Sequence, residues 1–299
     1  MNEKMLPLLK WAGGKRRIAK KIIDLINHDL QEGTYFEPFL GGGAVLFELA
    51  PKKAVCFDYN KDLIEFYNVV KKDPEKLINI LDKKYKHQNN RDFYYETREL
   101  DRDEKKFRKM SDIERAARFM YLNKTCYNGL WRVNRKGYNN VPFGRYVRPK
   151  ILDEKAIIKA SKYFNENDIK FYSSDFSDVL KYATKGDLIY FDPPYDVEEN
   201  QSEFVSYTKN GFNRDDQKRL KEVSDELVER GAVVAISNSK TTFIQNLFSG
   251  ENYEYYTING NIRVRRVIAS NVKSRKVIEE VLIVGRLKWE IELFHKQII

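Results

Sequence analysis

The sequence predicts an α/β fold built on a parallel sheet, interrupted by an inserted, mostly helical block. Three observations carry that prediction. Strand-like and helix-like segments alternate at the start of the chain, and they return after about residue 155. Between them, residues 71–114 are highly charged and helix-favouring, and Arg115–Leu152 holds nine Lys or Arg with no Asp or Glu. Four-residue apolar runs such as Leu188-Ile189-Tyr190-Phe191 read as strands buried on both faces.

Taken in order, residues 16–30 form a helix with Ile18, Ile22, Ile23, Leu25, Ile26 and Leu30 on one broad face. Thr34 to Phe39 is a strand running into Gly41-Gly42-Gly43, and a helix follows through Val45, Leu46 and Leu49. Ala54 to Asp58 is a second strand and Leu63 to Val70 a second helix. Later come a strand over Ile169–Tyr172, the strand Leu188–Phe191, an amphipathic helix over 215–230, a strand from Ala232 to Ser237 and a final core strand from Glu279 to Gly285. The expected division is a discontinuous catalytic domain, 1–70 and 155–299, enclosing a separate domain over 71–154.

With 299 residues the chain can bury a substantial core. Its net charge of +10 favours an anionic partner, of which nucleic acid is the commonest. Cys56 and Cys126 are too few for a disulfide framework or a Cys-based zinc site, and both read as ordinary thiols of a reducing cytoplasm. His28, His87 and His295 are scattered without metal-ligand spacing, so no metal is expected. No run approaches the ~20 apolar residues of a membrane span, and the N-terminus lacks the apolar stretch of a signal peptide.

The basic block interleaves Tyr127, Trp131, Tyr138, Phe143 and Tyr146 with its cations and carries the turn-like Asn134-Arg135-Lys136-Gly137, which suggests a hairpin. A run of one charge sign is usually a solvated face. Rings interleaved with cations fit a nucleic-acid reader better. A second basic stretch, Asn259–Ile278, carries six Lys or Arg and no acid.

The chemistry concentrates in Asp192-Pro193-Pro194-Tyr195, at the end of a predicted parallel strand, where open α/β sheets place their ligands. The two prolines remove two backbone donors and stiffen the chain, holding a carboxylate and an aromatic ring in place. Such a pair suits reaction at an exocyclic amino group of a planar base: the acid accepts from the amine and the ring stacks. The plainer alternative is an Asp that caps a loop. Glu37-Pro38-Phe39-Leu40-Gly41-Gly42-Gly43 is a strand-to-helix glycine turn, but neither a GxGxxG fingerprint nor a P-loop. Asp58, ending the next strand, can accept from ribose hydroxyls. Turn and acid together fit an adenosine-containing cofactor, or simply a tight turn and a helix cap.

Lys10-Trp11-Ala12-Gly13-Gly14-Lys15, Phe39-Leu40-Gly41-Gly42-Gly43, Asp58 and Asp192-Pro193-Pro194-Tyr195 occur in that order. With Tyr127–Asn134, Asn140–Tyr146, Ile236-Ser237-Asn238 and Val264-Arg265-Arg266…Ser270-Asn271, the chain resembles the Dam-type, D12-class DNA adenine-N6 methyltransferases over roughly residues 6–285. The resemblance implies a Rossmann-like S-adenosylmethionine-dependent methyltransferase sheet with an inserted target-recognition domain. It assigns cofactor contacts to Trp11, Lys15, Phe39, Gly41, Gly43, Asp58, Asp175, Phe176 and Asp192, and the methyl-transfer site to Asp192, Pro193, Pro194 and Tyr195. S-adenosylhomocysteine would be the product. Hydrogen bonds from the adenine amine to Asp192 and to the Pro193 carbonyl would localise its lone pair for in-line attack, with no covalent intermediate. Cytosine-C5 chemistry would need a Pro-Cys pair, which the chain lacks.

Double-stranded DNA is the implied partner, with the target adenine flipped out. Tyr195 would stack on it, and Tyr127 is a wedge or a packed hairpin aromatic. Lys10, Asn128 and Tyr146 match positions used near the target. Arg132 can pair with guanine O6 and N7, while Leu130 and Pro142 can touch a thymine methyl; this set implies GATC. Arg265, Arg266, Lys273 and Arg275 are expected on phosphates. The competing readings are an amino-methyltransferase for cytosine N4, RNA or protein glutamine, and a DNA-binding protein without catalysis. Glutamine enzymes usually carry Asn, and cytosine-N4 enzymes more often Ser, where Asp192 stands. A single reading block suggests that a monomer suffices.

Overall fold

The computed structural model describes residues 5–26, 30, 32–198, 212–258 and 279–288. Its sheet has seven strands: β1 Tyr35–Glu37, β2 Lys53–Asp58, β3 Asp168–Ser173, β4 Leu188–Phe191, β5 Val233–Ser239, β6 Tyr253–Thr257 and β7 Glu280–Gly285. Their order is β3-β2-β1-β4-β5-β7-β6. β1 pairs in parallel with β2 and with β4 (Tyr35 opposite Leu188), and β4 with β5. β7 runs antiparallel to both β5 and β6, so the sheet is mixed rather than wholly parallel. Every residue of β7 is buried. A fully buried strand is apolar in either direction, so its sequence carries no sign of its polarity.

Strand order reverses between β1 and β4, which makes their carboxyl ends the switch point where open α/β sheets bind ligands. β1 ends at Glu37 and β4 at Phe191, immediately before Pro38-Phe39 and Asp192-Pro193. The sheet is Rossmann-like.

The chain divides into two compact units. One comprises residues 18–40, 53–57 and 174–299 and contains α1 Ala19–Ile26, the helix α9 Arg214–Glu229 and the short α10 Thr242–Leu247. Helix α1 begins three residues later than the apolar pattern suggests. Its core joins Phe36, Phe57, Phe176, Ile189 and Phe191 to Leu220, Leu227, Ile236 and Ile283.

The other unit comprises 1–17, 41–52 and 58–173. It holds α2 Ala44–Leu49, α3 Lys61–Lys72, α4 Pro74–Ile80, α5 Arg91–Glu99, α6 Glu104–Lys109, α7 Asp112–Thr125 and α8 Glu154–Glu166. Its limits do not coincide with 71–154, because α3 shares a core with the later helices. Phe66 lies 5.8 Å from Phe119, and Tyr67 stacks on Phe171 at 5.1 Å. Arg115 binds Glu65 through Nε at 2.8 Å and Nη2 at 2.7 Å. Ser111 and Glu114 cap α7 reciprocally. The buried Arg118 donates to the carbonyls of Thr97 and Arg98 and pairs with Asp101 at 3.0 Å, closing the end of α5. Among the described residues, no helix is long and apolar enough to cross a membrane.

Candidate active site

Strand β4 delivers the Asp-Pro-Pro-Tyr segment. Asp192 and Tyr195 are half-buried, Pro193 is buried and Pro194 exposed. Just before them, the Tyr190 hydroxyl lies 2.8 Å from Ser237 Oγ of β5. Burial, and next the Asp192 carboxylate, push the Tyr190 phenol well above its ordinary range. With no N–H on Pro193 or Pro194, the segment is anchored through oxygen: Gln217 Nε2 of α9 donates to the Pro194 carbonyl at 2.9 Å.

Phe39, just beyond β1, packs on Phe176 (5.4 Å, nearly parallel), Phe191 (6.2 Å) and Phe212 (5.6 Å). Asp175 caps the turn that starts at Phe176 by accepting from the Ser177 amide at 3.0 Å. Arg219 grips the same carboxylate with both terminal nitrogens, at 3.0 and 3.1 Å, and lies over the Phe176 ring. Burial, the largest influence on Asp175, acts to raise its pKa, but the Ser177 and Arg219 hydrogen bonds outweigh it and hold the carboxyl below its usual range. Phe39, Asp175 and Phe176 are therefore neighbours, and Arg219 joins them.

In the other unit, the glycine turn lies against Trp11. Gly41 has φ +50°, and a Cβ there would come within 2.7 Å of the indole. Only glycine permits both the conformation and the approach. Asp58 accepts from the Gly41 amide through one oxygen and from the Asn60 amide through the other, each at 2.9 Å. Burial raises its pKa, against the pull of those two amides. Gly43, also at positive φ, opens α2. Lys15 is buried and donates to the Gly13 carbonyl at 3.0 Å. Trp11, Gly41 and Asp58 thus form one structure. The cradle that a Cβ would fill, and the half-buried acid beside it, fit an adenosine-type ligand with hydroxyls to donate.

The same unit gathers most of the residues expected to read DNA. The buried Asn123 accepts from the Lys10 amide at 2.9 Å and donates to its carbonyl at 2.7 Å. Lys10 Nζ sits 3.7 Å from the centre of the Tyr146 ring. Gly129, at φ +62°, lets the Tyr127-Asn128-Gly129 turn pass so near that a Cβ would meet Lys10 Cβ at 2.3 Å. Asn128 is itself left-handed (φ 54°). Tyr127 is exposed, and its amide donates to the Pro142 carbonyl at 2.9 Å. A small hairpin bridges Val133 to Asn139 across the Asn134–Gly137 turn. Its exposed Arg132 donates Nε to Asn140 Oδ1 at 2.7 Å. Lys10, Tyr127, Asn128, Leu130, Arg132, Pro142 and Tyr146 therefore belong to one loop cluster. Arg265, Arg266, Lys273 and Arg275 lie outside the described residues. Cys126 is buried and its thiol is pushed up to about 11, chiefly by desolvation, which ill suits a nucleophile.

Sequence reasoning missed Asn123, Asn140, Gln217 and Arg219. The first two lie inside segments that were singled out as basic and aromatic, while the last two look like the solvated face of a charged helix.

A family model described as D12 class N6 adenine-specific DNA methyltransferase matches residues 11–261. The type II methyltransferase M1.LlaDCHI of Lactococcus lactis subsp. cremoris is 41% identical over 277 residues, 93% of this chain and 94% of that protein. The type II methyltransferase M.MjaIII of Methanocaldococcus jannaschii is 40% identical over 292 residues, 93% and 98% of the two chains. The DNA adenine methylase of Escherichia coli (strain K12) is 34% identical over 277 residues, 92% and 93% of the two chains.

Proposed function

Because this chain belongs to the D12 class of N6 adenine-specific DNA methyltransferases, we propose that it methylates adenine N6 in double-stranded DNA at GATC, on a flipped-out base. The observation that carries the reading is the position of Asp192-Pro193-Pro194-Tyr195, at the carboxyl end of β4 beside the end of β1. Trp11, Lys15, Phe39, Gly41, Gly43, Asp58, Asp175, Phe176 and Asp192 would hold S-adenosylmethionine, which when bound supplies an electrophilic methyl group. Asp58 would accept from its ribose hydroxyls, and those donors would offset the desolvation of that carboxylate.

Asp192 accepts a hydrogen bond from the target amine, and the Pro193 carbonyl accepts the other. Both draw the nitrogen lone pair out of conjugation and aim it. Tyr195 stacks on the base and keeps its plane fixed, so positioning and electrostatics supply the rate. In the reading domain, which we assign to residues 71–154, Arg132 pairs with guanine in the major groove and Leu130 and Pro142 touch thymine methyls. Lys10, Asn128 and Tyr146 support the target, and Tyr127 fills the space that it vacates. Arg265, Arg266, Lys273 and Arg275 add phosphate affinity. A monomer carries every one of these roles.

The test is to incubate the protein with unmethylated plasmid and the cofactor and to map modified bases by sequencing. N6-methyladenine confined to GATC is the expected result. The modification at another site would discard the assignment of Leu130, Arg132 and Pro142. No modified base in DNA would move the reading to RNA or to a binder without catalysis.

A further inference from the structure

The double proline poses a problem that the methyl-transfer site must solve. A loop that has to hold two acceptors in register has no N–H of its own at Pro193 or Pro194 with which to fasten itself. Its anchorage must come from donors reaching its carbonyls, or from the residues that follow. The structure supplies both. Gln217 on α9 is 1% exposed and Asn238 on β5 fully buried. Each is an amide whose two ends are spent on this loop or on the other amide. Gln217 Nε2 donates to the Pro194 carbonyl at 2.9 Å, and Gln217 Oε1 accepts from Asn238 Nδ2 at 3.1 Å. Asn238 Oδ1 accepts from the Asp196 amide at 3.2 Å and from the Ser239 amide at 2.9 Å. Asp196 is in turn held through its side chain, by Thr241 Oγ1 at 2.6 Å and Arg214 Nε at 3.1 Å, and its carbonyl accepts from Ser239 Oγ.

The chain of bonds has one sense. Asn238 Oδ1 faces two amides, so its nitrogen must face Gln217. The Gln217 oxygen is then committed, and its nitrogen must face Pro194. Neither amide can flip without leaving buried groups unpaired. We infer that Gln217 and Asn238 are positioning residues for methyl transfer: through Pro194 on one side and Asp196 on the other, they fix the backbone that presents Asp192, the Pro193 carbonyl and the Tyr195 ring. The inference rests on the proposed reaction and adds to it two residues that touch neither base nor cofactor.

Gln217→Glu is the discriminating variant, because it is nearly isosteric and preserves packing. Its protonated carboxyl can donate to Pro194 and accept from Asn238, whereas its ionised form can only accept. Burial raises the pKa of such a carboxyl. In the full-length variant, kcat should therefore recover as the pH falls, a limb that the wild type lacks. Gln217→Leu should lower kcat by ~100-fold, as expected for a misplaced site, with the KM values for cofactor and DNA nearly unchanged. Amide hydrogen exchange read at Tyr195 and Asp196 gives an activity-independent measure. In Gln217→Leu it should quicken there while the β4 and β5 amides stay protected. Undiminished kcat in Gln217→Leu, unchanged exchange at those two amides, or a Gln217→Glu pH profile that follows the wild type would each overturn the inference. A wild type that modifies no DNA would overturn the proposed reaction instead, and the exchange measurement would still decide the anchorage.

Discussion

Arg132 illustrates how a hairpin holds a single side chain in place. Its Nε is tied to Asn140 Oδ1 at 2.7 Å, and Asn140 sits across the hairpin, its amide donating to the Arg132 carbonyl at 3.1 Å. The arginine's orientation is thus set by the hairpin itself. Arg132→Ala should relax discrimination at one guanine by roughly 1–3 kcal/mol. Affinities for sites altered at each position in turn are the check, and an equal loss at every site would make it a phosphate contact. Asp192→Ala should abolish methyl transfer while largely sparing DNA binding, as measured by turnover beside a mobility-shift titration; normal turnover would refute its role. Lys124 offers a pH prediction. Burial first, and the nearby charge of Lys10 second, push its ammonium down to about 8. The unfolded chain keeps that proton to about 10.4. Between those values only the unfolded state holds it, so the folded state gains stability as pH rises from 8. Lys124→Met removes this gain. The stability difference between variant and wild type should therefore shift in favour of the wild type by about 1 kcal/mol between pH 7 and 9. Urea melts at the two pH values measure it, and a constant difference would mean that Lys124 is not depressed.

Helix α9 shows how an element converts a local signal into a site. Asn213 caps it, accepting from the amides of Asp215 and Asp216, and the Asp216 carboxylate accepts in return from the Asn213 amide. The first turns beyond that cap carry Gln217 and Arg219, which reach Pro194 and Asp175. Asn213→Ala should cost about 1 kcal/mol of stability and weaken cofactor binding through Asp175, whereas Ser111→Ala at the cap of α7 should cost similar stability and leave the cofactor alone. Calorimetric titration of both variants separates the two effects. Legibility in the sequence follows the same logic. β4 and the Val233–Ile236 half of β5 are readable because they are uninterrupted apolar runs buried on both faces, and Gly41, Asp58 and Asp192 because turn chemistry is local. Helix α10 has six residues, too few to show a period, and edge strand β6 is Tyr-Glu-Tyr-Tyr-Thr with only Tyr253 buried, so neither announces itself. Helix α8 does show its face in Ile157, Ala160, Tyr163 and Phe164, but the surrounding charge obscured it. Gln217 was invisible for a different reason. In a helix reading Arg-Asp-Asp-Gln-Lys-Arg a glutamine looks solvated, and the carbonyl that draws it inward is 23 residues away.

For the molecule as a whole, the net charge of +10 overstates what DNA can meet. Of the nine cations between Arg115 and Leu152, Arg115 is bound to Glu65, Arg118 to Asp101 and Lys150 to Asp153. Arg132, Arg135, Lys136, Arg145 and Arg148 are exposed. Counterion release counts only charges that meet phosphate, each contributing a slope of about −0.9 to log K against log salt. Arg135→Ala and Lys136→Ala on the hairpin should each shallow that slope by about 0.9 if they meet phosphate, with no change in site preference. Arg265, Arg266, Lys273 and Arg275 should behave alike when replaced. Arg118→Ala should instead leave the slope intact and lower stability by roughly 3–5 kcal/mol, because it strips the partner from Asp101 and from the carbonyls of Thr97 and Arg98. Fluorescence anisotropy of a labelled duplex across a salt series, with a denaturation curve for each protein, separates the groups. If Arg118→Ala shallows the slope, or Arg135→Ala and Lys136→Ala leave it as steep as in the wild type, the division between structural and DNA-facing cations is wrong.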